Sequence, residues 1–168
     1  MKKTISVLME NRIPTLNRIT NLLCGVGLEI DSVSITDTET AGITKMIFIA
    51  DGEDAVIEQA LKQIDKLVDV IQALEFTTSD SFVREMALIK IHQRKNDLND
   101  LTNAVNLLNG KIIDVGKKTI TVEITGTPEK IKSAQNLLNN YGIKEITKSA
   151  CIAVEKESSI IKNKRRIR

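Results

Sequence analysis

The apolar pattern of this chain runs through one cycle of periodicities and then through it again, and a chain that repeats a unit must fold as copies of one architecture. In the first cycle Ile5, Val7 and Met9 alternate with Thr4 and Ser6 as in a strand, Leu8 being the exception. Glu10 to Pro14 reads as a loop. Leu16, Ile19, Leu23 and Val26 then share one helical face, with Pro14 suited to the first turn and Gly25 or Gly27 to the end. Leu28 to Ile35 alternates with a change of phase at Asp31-Ser32, and Thr44 to Ala50 answers it across a polar turn, so the two form a hairpin. After Asp51-Gly52, the residues Val56, Ile57, Ala60, Leu61, Ile64 and Leu67 mark a second helix, and Val68 to Phe76 closes the cycle as a strand.

The second cycle has the same order. Val83 to His92 is a strand. Leu98, Leu101, Val105 and Leu108 form a helical face closed by Gly110, and Lys111 to Val115 pairs with Thr119 to Thr125 around Gly116. Thr127-Pro128 caps a helix carrying Ile131, Ala134 and Leu138, and Gly142 ends it before a last strand from Ile143 to Val154. Gly27-Leu28-Glu29-Ile30-Asp31 answers Gly110-Lys111-Ile112-Ile113-Asp114. The spacing of Ile57, Ala60 and Ile64 from Gly52 equals that of Ile131, Ala134 and Leu138 from Gly126. The order βαββαβ, a central hairpin flanked by two helical crossovers, predicts an α+β fold of two tandem ferredoxin-like units, each a four-stranded antiparallel sheet with both helices on one face. Residues 1–78 and 79–157 are the two expected domains, and 158–168 a basic tail expected to be disordered.

Composition narrows the function. Aromatic residues make up 2% of the 168, with no Trp, so the core must be aliphatic and base-stacking platforms are absent. The formal charge of +2 includes Lys162, Lys164, Arg165, Arg166 and Arg168 of the tail, so the body is mildly acidic and offers no footprint for nucleic acid. No apolar run is long enough to span a membrane or serve as a signal-peptide core. Cys24 and Cys151 stand apart in apolar segments without metal-binding spacing, and are expected to be small buried hydrophobes in a reducing compartment. Catalytic motifs are lacking. The lone His92 sits at a strand end, no phosphate-binding glycine loop or nucleophile motif occurs, and Asp51, Glu53, Asp54 and Glu58 flank a helix N-terminus, where carboxylates favour the dipole. These features point to a binding or regulatory module.

Glu10-Asn11 followed by Leu16 and Arg18, then Gly27, Ile30 and Ser32, resembles the N-terminal ACT domain of the small regulatory subunit of acetohydroxyacid (acetolactate) synthase. The runs 62–70 (KQIDKLVDV), 83–91 (VREMALIKI), 110–115 (GKIIDV) and 121–126 (TVEITG) extend that resemblance to residues 2–157, the second half being similar to the family's C-terminal, ACT-like domain. The resemblance implies a non-catalytic subunit, active in valine, leucine and isoleucine synthesis. A separate large subunit would hold thiamine diphosphate, Mg and usually FAD and condense two pyruvates to 2-acetolactate and CO2. The small subunit would raise its activity and in many members confer feedback by valine. No cofactor is expected in this chain, and its place would be cytoplasmic, or the plastid stroma if organelle-encoded. The implied effector site lies between copies in a homodimer of ACT domains, with Asn11, Ile13, Pro14, Thr15 and Leu16 from the first loop and helix, and Glu29 and Ile30 from the second strand.

Two of these residues depart from the family pattern, which usually has Gly at the position of Pro14 and Asn at that of Glu29. Proline removes an N–H donor, and Glu29 sets a negative charge where an effector carboxylate would sit. The resemblance with these two changes implies valine feedback that is weak, absent or retuned. A free-standing tandem-ACT amino-acid sensor is the alternative. An independent enzyme would need clustered titratable groups that the sequence does not supply.

Overall fold

The computed structural model describes residues 2–77, 79–93 and 98–157 of the chain. The basic tail expected at 158–168 lies outside them. The first sheet contains β1 (Lys2–Glu10), β2 (Glu29–Asp37), β3 (Ile43–Asp51) and β4 (Val70–Phe76), with α1 (Ile13–Gly25) and α2 (Asp54–Ile64) as its crossovers. The second contains β5 (Ser81–His92), β6 (Lys111–Val115), β7 (Thr119–Gly126) and β8 (Ile143–Lys148), with α3 (Leu98–Leu107) and α4 (Pro128–Asn139); a short β9 (Ile152–Glu155) also pairs β5. The strand orders are β2-β3-β1-β4 and β6-β7-β5-β8, so both are antiparallel sheets of ferredoxin-like βαββαβ units.

Each sheet buries one face beneath its own helices. In the first, Ile5 and Val7 lie opposite Phe48 and Met46 on β3, and are sealed by Ile19 and Leu23 of α1 and Ile57, Ala60 and Ile64 of α2. In the second, Ala87, Ile89 and Ile91 pair across Ile124, Val122 and Ile120 under Leu101, Val105, Ile131, Ala134 and Leu138. The three residues of α2 and their three counterparts on α4 are all fully buried, so the spacing shared by the two halves is the spacing of equivalent contacts. The phase change at Asp31-Ser32 is a β-bulge, the register with β3 shifting between Ile30 and Ser32. The second unit has its bulge between Ile112 and Asp114. Thr127 caps α4 as expected, its hydroxyl accepting from Lys130 N–H at 3.3 Å.

Two expectations are corrected. The last strand does not run from Ile143 to Val154 but breaks into β8 and β9. At the break Met86 N–H donates to the Ser149 hydroxyl at 2.9 Å, so a side chain takes a donor the regular ladder would use. Cys24 is exposed, on the solvent side of α1 beside the buried Leu23, whereas Cys151 is buried. Gly110 closes α3 as expected, its N–H donating to Val105 C=O at 2.9 Å; the left-handed turn just before it falls on Asn109, with φ 51°, and Gly110 is confined, since a Cβ there would lie 3.1 Å from Glu123 C=O and from the Ile124 and Val105 side chains.

The chain divides into two compact units with a crossing at each end of the second. Residues up to Phe82, together with those from Cys151 onward, form the first, and Val83–Ala150 the second. The second unit is thus inserted into the first. The face of the first sheet turned away from its helices is covered, with Ser6, Ile47, Ile49 and Phe76 all buried. The returning segment contributes: Ser34 Oγ donates to Cys151 C=O at 2.7 Å. The corresponding face of the second sheet keeps Met86 and Leu88 39% exposed. Among the described residues no helix is long and apolar enough to cross a membrane.

Among the described residues Phe48 is the largest fully buried side chain. Phe48→Ala is expected to cost about 3–5 kcal/mol in urea unfolding followed by circular dichroism, against about 0.5 kcal/mol or less for Cys24→Ala on the exposed side of α1. Equal effects would contradict the assignment of the first core.

Candidate effector site

The start of α1 is built by backbone commitments on both sides. Glu10 N–H donates to Asp69 C=O at 2.9 Å and Asn11 N–H to Gly42 C=O at 2.8 Å, so the loop leaving β1 is pinned to the loops before β4 and β3. Arg12 is the N-cap in extended conformation and makes no side-chain cap. Its carbonyl accepts from Thr15 N–H at 3.1 Å and, weakly, from Leu16 N–H at 3.4 Å. Pro14 has no N–H, so in this first turn the Ile13 N–H is left without an acceptor among the described residues. The first turn has no acidic residue, and its positive dipole end is therefore uncompensated from within.

Asp69 organises the surrounding side chains, and nothing local in the sequence announces it. Its Oδ2 accepts from Thr15 Oγ1 and from Arg18 Nη1, both at 3.1 Å, and Arg12 Nη1 stands 3.8 Å from Oδ1. Arg12 Nε also pairs with Glu10 at 3.0 Å. The partners of Asp69 lie more than fifty residues away in sequence, which is why pattern reading passes over it. Thr15 is completely buried with its hydroxyl committed, so it holds the turn in place and is not exposed to a ligand. Leu16 is half-buried against the first core. Asn11 and Pro14 are exposed, and Ile13 is 78% exposed.

Glu29 and Ile30 stand elsewhere. Glu29 pairs in register with Asp51, while Glu10 pairs with Ile43. Residues 43 and 51 are the two ends of β3, a span of about 27 Å at the usual antiparallel rise. Within one chain the expected site residues therefore form two groups at opposite ends of one sheet. Glu29 is exposed, close to Lys2, whose ammonium is hydrogen-bonded to Asp31 and has its pKa raised, first by that bond and then by the charge of Asp31.

β2, which carries Glu29 and Ile30, is an edge of the first sheet. Val33 and Ile35, on the helix-covered face opposite Phe48 and Met46, remain 43% and 44% exposed because the helices do not reach this edge. The acidic residues at the start of α2 are occupied differently from a cap. Glu53 makes no side-chain cap, Asp54 pairs with Lys3 at 3.3 Å, and Glu58 pairs with Lys62 at 2.7 Å, which lowers its pKa. His92 is exposed at the end of β5. Among the described residues no three His, Cys, Asp or Glu side chains are placed to share a metal ion.

Comparison with known proteins matches both units. A family model described as "AHAS small subunit-like ACT domain" matches residues 5–72, and one described as "Small subunit of acetolactate synthase" matches residues 84–157. The chain is 35% identical over 155 residues to the probable acetolactate synthase small subunit of Methanothermobacter thermautotrophicus, covering 92% of each chain. It is 36% identical over 153 residues to the acetolactate synthase small subunit of Mycolicibacterium smegmatis, covering 91% of this chain and 90% of that one. Among solved structures, that of the acetolactate synthase small subunit of Thermotoga maritima superposes with a TM-score of 0.81 at 30% identity, over 93% of this chain and 98% of the other. With matches spanning both repeats and nearly the whole of its relatives, this chain belongs to the acetolactate synthase small-subunit family.

Proposed function

We propose that the chain is the regulatory subunit of an acetolactate synthase, binding a large subunit of the kind that carries thiamine diphosphate, Mg and usually FAD, and raising its conversion of two pyruvates to 2-acetolactate and CO2. The observation behind this reading is the 35% identity to a probable acetolactate synthase small subunit across both units, rather than across an ACT domain alone. The site supplies positioning groups and the N-terminus of α1, which suit binding an amino acid better than transforming one.

The effector site of this reading needs two copies of the chain. Antiparallel pairing of β2 with β2 of a second copy would bring the Glu29 end of one strand beside the Asp37 end of the other. At the Asp37 end β3 begins with Thr44 opposite Met9, next to the loop that opens α1. The two groups that one chain holds apart would then face each other across the seam. Such a pairing would also cover the open edge with Val33 and Ile35. A ligand there influences the large subunit only by binding one arrangement of the dimer better than another.

Pro14 and Glu29 bear on the same site. With Ile13 supplying the N–H and Pro14 none, an effector carboxylate has a diminished cradle, and Glu29 from the other copy adds a like charge. We infer activation with valine feedback that is weak, absent or retuned.

Mixing the chain with its large subunit should raise acetolactate formation well above that of the large subunit alone, with little inhibition by millimolar valine; no activation would overturn the reading, and valine binding without activation would favour a free-standing sensor. The double variant Pro14→Gly, Glu29→Asn should increase valine sensitivity about tenfold, the size expected for one recovered charge-assisted hydrogen bond. An unchanged inhibition curve would show that the loop does not hold the carboxylate. Val33→Asp with Ile35→Lys should shift the chain toward monomer in analytical ultracentrifugation, whereas an unaltered dimer would place the interface elsewhere.

A further inference from the structure

We propose that the end of the second unit where β5 stops and β7 begins is a basic docking surface for an acidic patch on a protein partner. The proposal deepens the regulatory reading and rests on it for the partner's identity, the large subunit.

The repeat makes this end the counterpart of the loop that opens α1. In the first unit Glu10 N–H donates to Asp69 C=O and Asn11 N–H to Gly42 C=O. In the second, His92 N–H donates to Gly142 C=O at 3.0 Å and Gln93 N–H to Lys118 C=O at 2.9 Å, and His92 faces Thr119 in register as Glu10 faces Ile43. The same two backbone bonds thus tie the end of the first strand to the hairpin and to the approach of the last strand in each unit. The side chains differ. Gly142 stands where the first unit has Asp69, so the carboxylate that engages Thr15 and Arg18 has no counterpart, and Lys118 stands where the first unit has Gly42.

His92, Lys117, Lys118 and Lys144 are all exposed at this end. Among the described residues none of the three ammonium groups makes a hydrogen bond or ion pair. Glu145, beside Lys144, is committed to Lys90 at 2.9 Å, and Asp114 is set back along β6 opposite Thr121. The strands lie in the order β7-β5-β8, so the backbone carrying the three lysines spans two strand spacings, about 10 Å. The charge of the wider sequence follows the same division: residues 1–82 hold seven Lys and Arg against thirteen Asp and Glu, and 83–150 hold eleven against seven.

Unpaired like charges this close repel one another, and an opposing array of carboxylates relieves that repulsion while steering the encounter. A protein surface suits the patch better than the other anions. Exposed lysines hold a small ion weakly, and the chain has no aromatic platform on which bases would stack.

Binding of the full chain to its large subunit, read by biolayer interferometry over a salt series, tests this. The wild-type Kd should rise about tenfold or more between about 50 mM and about 0.5 M salt. Changing Lys117→Glu, Lys118→Glu and Lys144→Glu together should raise the Kd about tenfold or more at the low-salt end and flatten the salt dependence. The milder set Lys117→Gln, Lys118→Gln and Lys144→Gln should fall between, and keeps the test open should the reversed set fold poorly. As the control, Lys111→Glu, Lys132→Glu and Lys148→Glu alter the charge equally at exposed positions toward the opposite end of the same unit, and should change the Kd less than about twofold. An unchanged Kd in both patch sets, or equal weakening by the patch and control sets, would overturn the proposal.

Activation of the large subunit is read in the same samples. Binding without activation overturns the regulatory reading alone, and the patch is then judged by the salt series and the variants. No binding to the large subunit overturns both.

Discussion

The antiparallel register of β3 with both of its neighbours governs the first unit. It sets Ile5 and Val7 against Phe48 and Met46, so the core face of β1 meets the core face of β3 and the helices can close over one continuous apolar surface. The same register sends the end of β1 and the start of β2 to opposite ends of the sheet. A slip of one residue would turn every buried side chain outward, so the register is held by the whole core. Separation of the Asn11 and Glu29 groups is consequently a property of the fold, and no local adjustment of a loop could bring them together within one chain.

The repeated architecture has been put to unequal use. Both units bury the helical face of the sheet with the same spacing of aliphatic residues. Only in the first does the chain return to contribute to the opposite face, where Ser6, Ile47, Ile49 and Phe76 are buried. The second leaves Met86 and Leu88 half exposed on the corresponding face. Insertion of the second unit between β4 and β9 makes the first one depend on residues at both ends of the insertion. The chain of a discontinuous domain enters and leaves the inserted unit, so two covalent links join the units where a simple tandem array has one.

Much of this was legible in the sequence because periodicity reports burial. The 5, 8 and 12 residue offsets from Gly52 and Gly126 name residues that prove fully buried in both units, and the phase change at Asp31-Ser32 marks the bulge. Tertiary choices were not legible. Ser149 interrupts what reads as one strand because its hydroxyl finds Met86, which no local pattern encodes. Cys24 follows the buried Leu23 on α1, but the helix turns it outward. Of the expected site residues, Thr15 is buried with its hydroxyl bonded to Asp69, a partner 54 positions away. Family resemblance points to the loop, and only the register shows that Glu29 and Ile30 lie at the opposite end of the sheet from Asn11 within one chain.

An effector site formed between two copies of the chain, as proposed, is tested most directly by a distance measured between copies. In a Cys24→Ser background, chains labelled at Asn11→Cys can be mixed with chains labelled at Glu29→Cys and examined by pulsed electron spin resonance. Labels on different copies should lie about 15–20 Å apart, three strand spacings across a paired β2 edge, compared with about 27 Å along the sheet within one copy. A mixture with no separation shorter than the within-chain distance would contradict it.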